Sequence, residues 1–173
     1  FKRFSINGKP NDIFTELRLP CVLKPTFLSA SQGVLRVNSF EEFTKGCEML
    51  SVFLAEEKLK KRGGDQANWI LVEEYIPGKE VSIEGIVNNG KLKDLAIFDK
   101  PESLEGPIFP ETIFITPTIL EKHLQFSLLE TAQSALHALG ISKGPVHIEL
   151  QINDHGNYIL ECAARSIGGL CSK

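Results

Sequence analysis

Between Val146 and Ala163 the chain alternates apolar and polar residues on both sides of one turn, a pattern that admits little other than an antiparallel hairpin. Val146, Ile148, Leu150 and Ile152 share one face, and His147, Glu149 and Gln151 share the other. Asn153-Asp154-His155-Gly156-Asn157 supplies the turn. After it, Tyr158, Leu160 and Cys162 alternate with Ile159, Glu161 and Ala163. Centring the turn on His155 sets Leu150 against Leu160, Ile148 against Cys162 and Glu149 against Glu161. Two carboxylates then stand directly opposite, with β-carbons roughly 4.5–5.5 Å apart, where like charges repel. A divalent cation between them removes the conflict; so does solvent on a half-exposed sheet, or a proton shared by the pair. Oxygen-only ligands suit magnesium, which keeps waters and bridges to phosphates.

The same reading extends upstream. Residues 20–25 form a short apolar strand stopped by proline, 26–33 a loop of small polar residues, and 34–37 a second strand. Ser39 and Glu42 make a capping box, followed by a helix carrying Phe43, Cys47, Leu50 and Leu54 on one face. That helix runs into Lys60-Lys61-Arg62-Gly63-Gly64, which lacks the GxxxxGK[ST] pattern of a phosphate loop and reads as a helix end. Strands are expected over 69–76, 80–87 and 92–98, with Asn88-Asn89-Gly90 as a hairpin turn, and a short one over 113–115. Thr116 is expected to cap a helix with Pro117 at its first position. Its buried stripe is Leu120, Leu124, Leu128, Ala132, Ala135 and Leu139, and Gly140 ends it. Helices alternating with hairpin-linked strands make the class α+β with mainly antiparallel sheets.

Composition narrows the functions. A chain of 173 residues suffices for one domain or two small lobes sharing a cleft. Net charge is −3 and no basic stripe appears, so no nucleic-acid partner is expected. No apolar run is long enough to span a membrane. Cys21, Cys47, Cys162 and Cys171 form no CxxC pair and no metal spacing with His123, His137, His147 or His155. Scattered free cysteines fit a reduced, cytoplasmic setting. The start at Phe1 and the end in Gly168-Gly169-Leu170-Cys171-Ser172-Lys173 read as cuts from a longer protein.

Three blocks together resemble the ATP-grasp superfamily of carboxylate–amine and carboxylate–thiol ligases over nearly the whole chain. They are Leu19–Pro25 with the loop to Val34, then Leu71–Ser82, then Gly144–Leu150 continuing through Ile159–Arg165. The close, Ala164-Arg165-Ser166-Ile167-Gly168-Gly169, looks like a poorly characterised bacterial-type branch. The resemblance implies two α+β lobes gripping ATP, with residues 1–68 in the first and 69–173 as hinge and second lobe. It places a pre-ATP-grasp domain and a C-terminal remainder outside the sequence. It gives Lys24 to the ATP phosphates and the loop 26–33, with Ser29, Ser31 and Gly33, to closure over the triphosphate. Glu73 and Ile76 fall at the adenine hinge, and Glu80 at the ribose. His147 matches a position where some relatives carry a basic residue; a satisfied sheet histidine is the alternative. Lys100 matches the lysine aimed at the γ-phosphate and acyl phosphate, and Arg165 the basic residue that steadies the carboxylate or tetrahedral intermediate. Glu149 and Glu161 match the Mg2+ ligands, with Mn2+ as an alternative ion. Ala163 stands where many relatives place a further metal-binding Asn, which weakens a two-metal reading.

The chemistry so implied is transfer of ATP's γ-phosphate to a small-molecule carboxylate, giving an acyl phosphate that an amine or similar nucleophile attacks. A bicarbonate-activating enzyme of the biotin carboxylase or carbamoyl-phosphate synthetase kind is one alternative, and a non-catalytic ATP-binding module another. The pocket that selects substrates is expected largely in loops such as 102–109. A homodimer is compatible with the resemblance. The 173-residue piece alone is expected to turn over poorly or not at all.

Overall fold

The computed structural model describes residues 1–14, 16–100 and 113–169. The expected substrate-selecting loop 102–109, Pro101, and residues 170–173 with Cys171 lie outside the described residues. The described chain divides into two units, residues 1–75 and those from 76 onward, each with its own antiparallel sheet and helical cover, an α+β arrangement.

The first unit is a sheet of β1 (Lys2–Ser5), β2 (Cys21–Pro25), β3 (Leu35–Val37) and β4 (Trp69–Glu74), in the order β1-β4-β2-β3. Its helices are α1 (Asn11–Phe14), α2 (Phe40–Leu54) and α3 (Glu57–Gly63). Cys21 and Leu23 of β2 and Ile70 and Val72 of β4 are buried against Phe43, Cys47, Leu50 and Leu54 of α2. Each such Leu, Ile or Phe contributes about 1.5–3 kcal/mol by leaving water. Burial pushes the Cys21 thiol up to about 11 and Cys47 to about 12, so both serve as small uncharged hydrophobes.

Two local expectations change here. Ser39 Oγ accepts from Glu42 N at 3.2 Å as a cap should, but the Glu42 carboxylate reaches past Ser39 to accept from Asn38 N at 2.7 Å. The helix expected to run on to Arg62 breaks after Leu54. Leu54 and Leu59 are both buried in one core, and five residues of continuous helix would set them about 140° apart. A break at Ala55–Glu56 re-phases the chain, and the basic tract Lys60-Lys61-Arg62 ends α3 instead.

The second unit is a sheet of β5 (Lys79–Asn88), β6 (Lys91–Lys100), β7 (Lys143–Asn153) and β8 (Gly156–Ala163), in the order β6-β5-β7-β8. One helix, α4 (Lys122–Ala138), covers one face. Val81, Ile83, Val87, Val146, Ile148 and Leu150 pack against its Leu128, Ala132 and Leu136. The β5–β6 turn uses Asn89 and Gly90 with φ of 50° and 75°, as a tight hairpin requires.

The helix start expected at Thr116 lies at Lys122, after a segment that Asp99 holds to β6. Asp99 Oδ1 accepts from Thr118 Oγ1 at 2.5 Å and Oδ2 from Ile119 N at 2.8 Å. Residues 113–115 contribute only an isolated bridge, Ile115 to Asp99. The buried stripe of α4 is correspondingly narrower than expected: Leu139 is 60% exposed and Leu136 is fully buried.

Candidate functional site

The face of the second sheet away from α4 is a polar grid written by the strand registers. Across β6, β5 and β7 the rows are Lys100–Glu80–Gln151, Phe98–Ser82–Glu149 and Ala96–Glu84–His147. Residues two apart on a strand share a face, so these rows stack on one side of the sheet. Ser82, Glu84, His147 and Gln151 are the polar side chains that this face buries among the described residues.

Side-chain contacts knit the grid together. Lys100, only 12% exposed, is ion-paired with Glu80 and donates from Nζ to Glu149 Oε1 at 3.0 Å. His147 Nε2 meets the same Glu149 oxygen at 3.3 Å, and its Nδ1 is bonded to Glu84. Both ring nitrogens face carboxylate oxygens, an arrangement that favours the protonated imidazole. Burial opposes charge on His147, but hydrogen bonds to Glu149 and Glu84 outweigh it and raise the pKa. Burial also opposes charge on Lys100, and the Glu149 and Glu80 carboxylates likewise prevail and raise it. Glu149 pays the desolvation cost of burial, yet His147 and Lys100 hold its carboxyl at about 2.

Glu149 and Glu161 stand directly opposite each other on β7 and β8. The expected register holds from His147↔Ala163 through Glu149↔Glu161 and then slips by one, so Leu150 faces Ile159 rather than Leu160. The turn is the two-residue Asp154-His155, closed by Asn153 Oδ1 accepting from His155 N at 2.9 Å. A bulge at Leu160 restores the offset and lets both Ile159 and Cys162 pack toward the core. Glu161 is exposed, and Arg165 Nη2 lies 4.0 Å from its Oε1 while Nη1 donates to Ser166 O at 3.0 Å.

A bound cation fits this donor set. Glu80, Glu84 and Glu149 oppose Lys100 and His147, three acidic side chains against two basic ones, and Glu161 adds a fourth acid. Ser82 Oγ, beside Glu149 in the register, is buried without a hydrogen-bond partner among the described residues. Two carboxylates supply fewer protein ligands than a closed cage, and no group of three His, Cys, Asp or Glu is arranged to hold a metal among the described residues.

In the first unit, Lys24 Nζ lies 2.5 Å from Glu73 Oε2. The β2–β4 register pairs Val22 with Glu73 and Lys24 with Leu71, which makes the two charges diagonal neighbours. Beyond β2, Ala30, Ser31 and Gly33 take φ of 56°, 52° and 76°, so the loop with Ser29 and Ser31 is tightly turned. A Cβ on Gly33 would lie 2.9 Å from Pro25 Cγ, which gives this glycine a packing role as well. Ile76 begins the second unit and is half-buried. The residue that sequence reading passed over is Glu84. Its only sequence signal is an acid in phase with Glu80 and Ser82 on one strand.

The sequence profile of the ATP-grasp domain family matches residues 17–173. Alanine--anticapsin ligase of Bacillus subtilis (strain 168) is 31% identical over 170 residues, which is 88% of this chain and 34% of that protein. The chain thus spans about a third of the length of that curated relative. An L-amino acid ligase from Bacillus licheniformis superposes with a TM-score of 0.78 at 28% identity, over 95% of this chain and 38% of that one. A biotin carboxylase–β-γ-ATP complex from Campylobacter jejuni shares the fold at a TM-score of 0.68 and 18% identity, over 96% of this chain and 36% of that one.

Proposed function

The chain belongs to the ATP-grasp domain family, and on that premise we propose that it supplies the nucleotide site of a ligase joining a small carboxylate to an amine. The observation that carries the reading is Lys100, held between Glu80 and Glu149 on the polar grid. A lysine whose charge is already balanced by two carboxylates is held in place and kept protonated before substrate arrives. Its three N–H donors then meet phosphate oxygens without reorganising the site.

In this reading a carboxylate oxygen of the substrate attacks the γ-phosphorus and ADP leaves. The amine then attacks the acyl carbon, its proton is lost, and phosphate departs with the original carboxylate oxygen. Lys100 binds and neutralises the transferring phosphoryl oxygens, while Arg165 offers a planar fork to the carboxylate. Lys24, ion-paired with Glu73 in the first unit, is the further lysine proposed for phosphate. Glu149 and Glu161 are the residues that would hold magnesium, which, when bound, would neutralise phosphate charge. Glu80 serves the ribose hydroxyls, and Ser29, Ser31 and Gly33 the phosphate loop. The amino-acid ligases among the relatives support an amino acid as the carboxylate partner. The cytoplasm, where ATP and reduced thiols coexist, is the proposed compartment. No helix among the described residues is long and apolar enough to cross a membrane.

The test is a screen of the full-length protein with ATP, magnesium and pairs of amino acids, following ADP release and amide product together. ADP release that requires both an amino acid and magnesium, with a matching amide, is expected. ADP release driven by bicarbonate instead, or nucleotide binding with no turnover on any carboxylate, would contradict the ligase reading.

A further inference from the structure

The geometry points to Glu84 as a positioning residue that fastens the Arg165 segment to the catalytic face, a role that rests on the ligase reading above. Glu84 lies at 8% exposure in the middle of β5, an expensive place for a carboxylate. Both of its oxygens are occupied. One is bonded to His147 Nδ1, and Oε2 accepts from the backbone N–H of Ile167 at 2.9 Å. Ile167 is itself only 6% exposed. Charge-assisted bonds from a buried carboxylate to a backbone amide are among the stronger ones a protein makes.

The placement of that bond gives it a purpose. Ile167 follows β8 by four residues, outside every strand and helix. Arg165 is two residues away, at most roughly 7 Å of chain. The Arg165 side chain is half exposed and its contacts are the carbonyl next door and Glu161 at 4.0 Å. The Glu84–Ile167 bond therefore ties the segment that presents Arg165 to the sheet. Through His147, the same carboxylate also reaches Glu149 and hence Lys100. Glu84 thus connects the residue proposed for the substrate carboxylate with the residue proposed for the phosphate.

The strand is shaped for this. Pairing between β5 and β6 shifts register between Glu84 and Gly85. Such bulges re-aim a side chain. A Cβ at Gly85 would fall 2.6 Å from Leu92 Cδ1 and 3.0 Å from Lys93 O, so the close approach beside Glu84 needs a glycine.

The experiment compares Glu84→Met and Glu84→Gln in the full-length protein. Met fills the volume but accepts no hydrogen bond, whereas Gln keeps an oxygen for Ile167. Two readouts are taken: steady-state kinetics with the amino-acid pair that the wild type uses, and hydrogen exchange at the Ile167 amide. Glu84→Met is expected to lower kcat on the order of 10²-fold with KM for ATP little changed, because misplacement of about 1 Å costs that much. Ile167 protection should fall in the same variant, and Gln should restore most of both. Unchanged kcat in a folded Glu84→Met protein, or unchanged Ile167 protection, overturns the assignment. Equal losses in the Met and Gln variants overturn it too, since the acceptor would not be what matters. A wild type that consumes no ATP with any carboxylate, while Glu84→Met still loses Ile167 protection, refutes the ligase role and leaves the tether standing.

Discussion

Replacing Lys100 by Met in the full-length protein is expected to cut kcat/KM on the order of 10³-fold, the scale of losing a preorganised charge at a reacting centre. The reason lies in its position. Lys100 is opposed by Glu80 across the β5–β6 pair and reaches Glu149 one strand further on. No other described cation contacts both acids, so no neighbour can substitute for it. The same substitution removes the cation that Glu80 and Glu149 share, at a cost of about 2 kcal/mol, reduced from the fully buried case because both acids keep some solvent and Glu149 keeps His147. Lys100→Arg separates the two effects. It restores the charge and most of the stability, but its wide planar fork does not reproduce a point charge between two acids. Urea denaturation paired with ADP release distinguishes them. Turnover by a folded Lys100→Met protein within about threefold of wild type would remove Lys100 from the mechanism.

The second large effect concerns the opposed acids. Glu149→Gln combined with Glu161→Gln preserves size and hydrogen bonding and removes both charges. Titration calorimetry of a non-hydrolysable ATP analogue, with and without magnesium, is expected to show tighter binding with magnesium for the wild type. The double variant should lose that gain, a difference on the order of 10–100-fold in affinity. The fold should persist, because Glu161 is exposed and Glu149→Gln still accepts from Lys100 and His147. A magnesium-dependent gain that survives both substitutions would place the cation elsewhere.

How much of this was legible in the sequence depended on the range of the forces involved. The β7–β8 hairpin was readable because alternation and a turn are local signals, and they sufficed to bring Glu149 opposite Glu161. The bulge at Leu160 was not, since a two-residue turn and a compensating slip leave the same pattern near the acids. Glu84 escaped notice for a related reason. One acid in an alternating strand reads as solvent-facing, and its burial depends on His147 and Ile167, far along the chain. The pairing of Lys24 with Glu73 also needed the β2–β4 register, which no local pattern encodes. At Thr116-Pro117 the helix-start signals were present but lost to Asp99, which holds the following residues to β6. In α2 and α3, core packing of Leu54 and Leu59 overrode continuous helix propensity.

The most direct test of the central claim follows an oxygen atom. The full-length protein is supplied with ATP, magnesium, an amine and a carboxylate substrate labelled with oxygen-18 in its carboxyl group. An acyl phosphate intermediate predicts one labelled oxygen in each inorganic phosphate released, in step with amide formation. Amide formed with unlabelled phosphate, or phosphate released without any dependence on the carboxylate, would contradict the account.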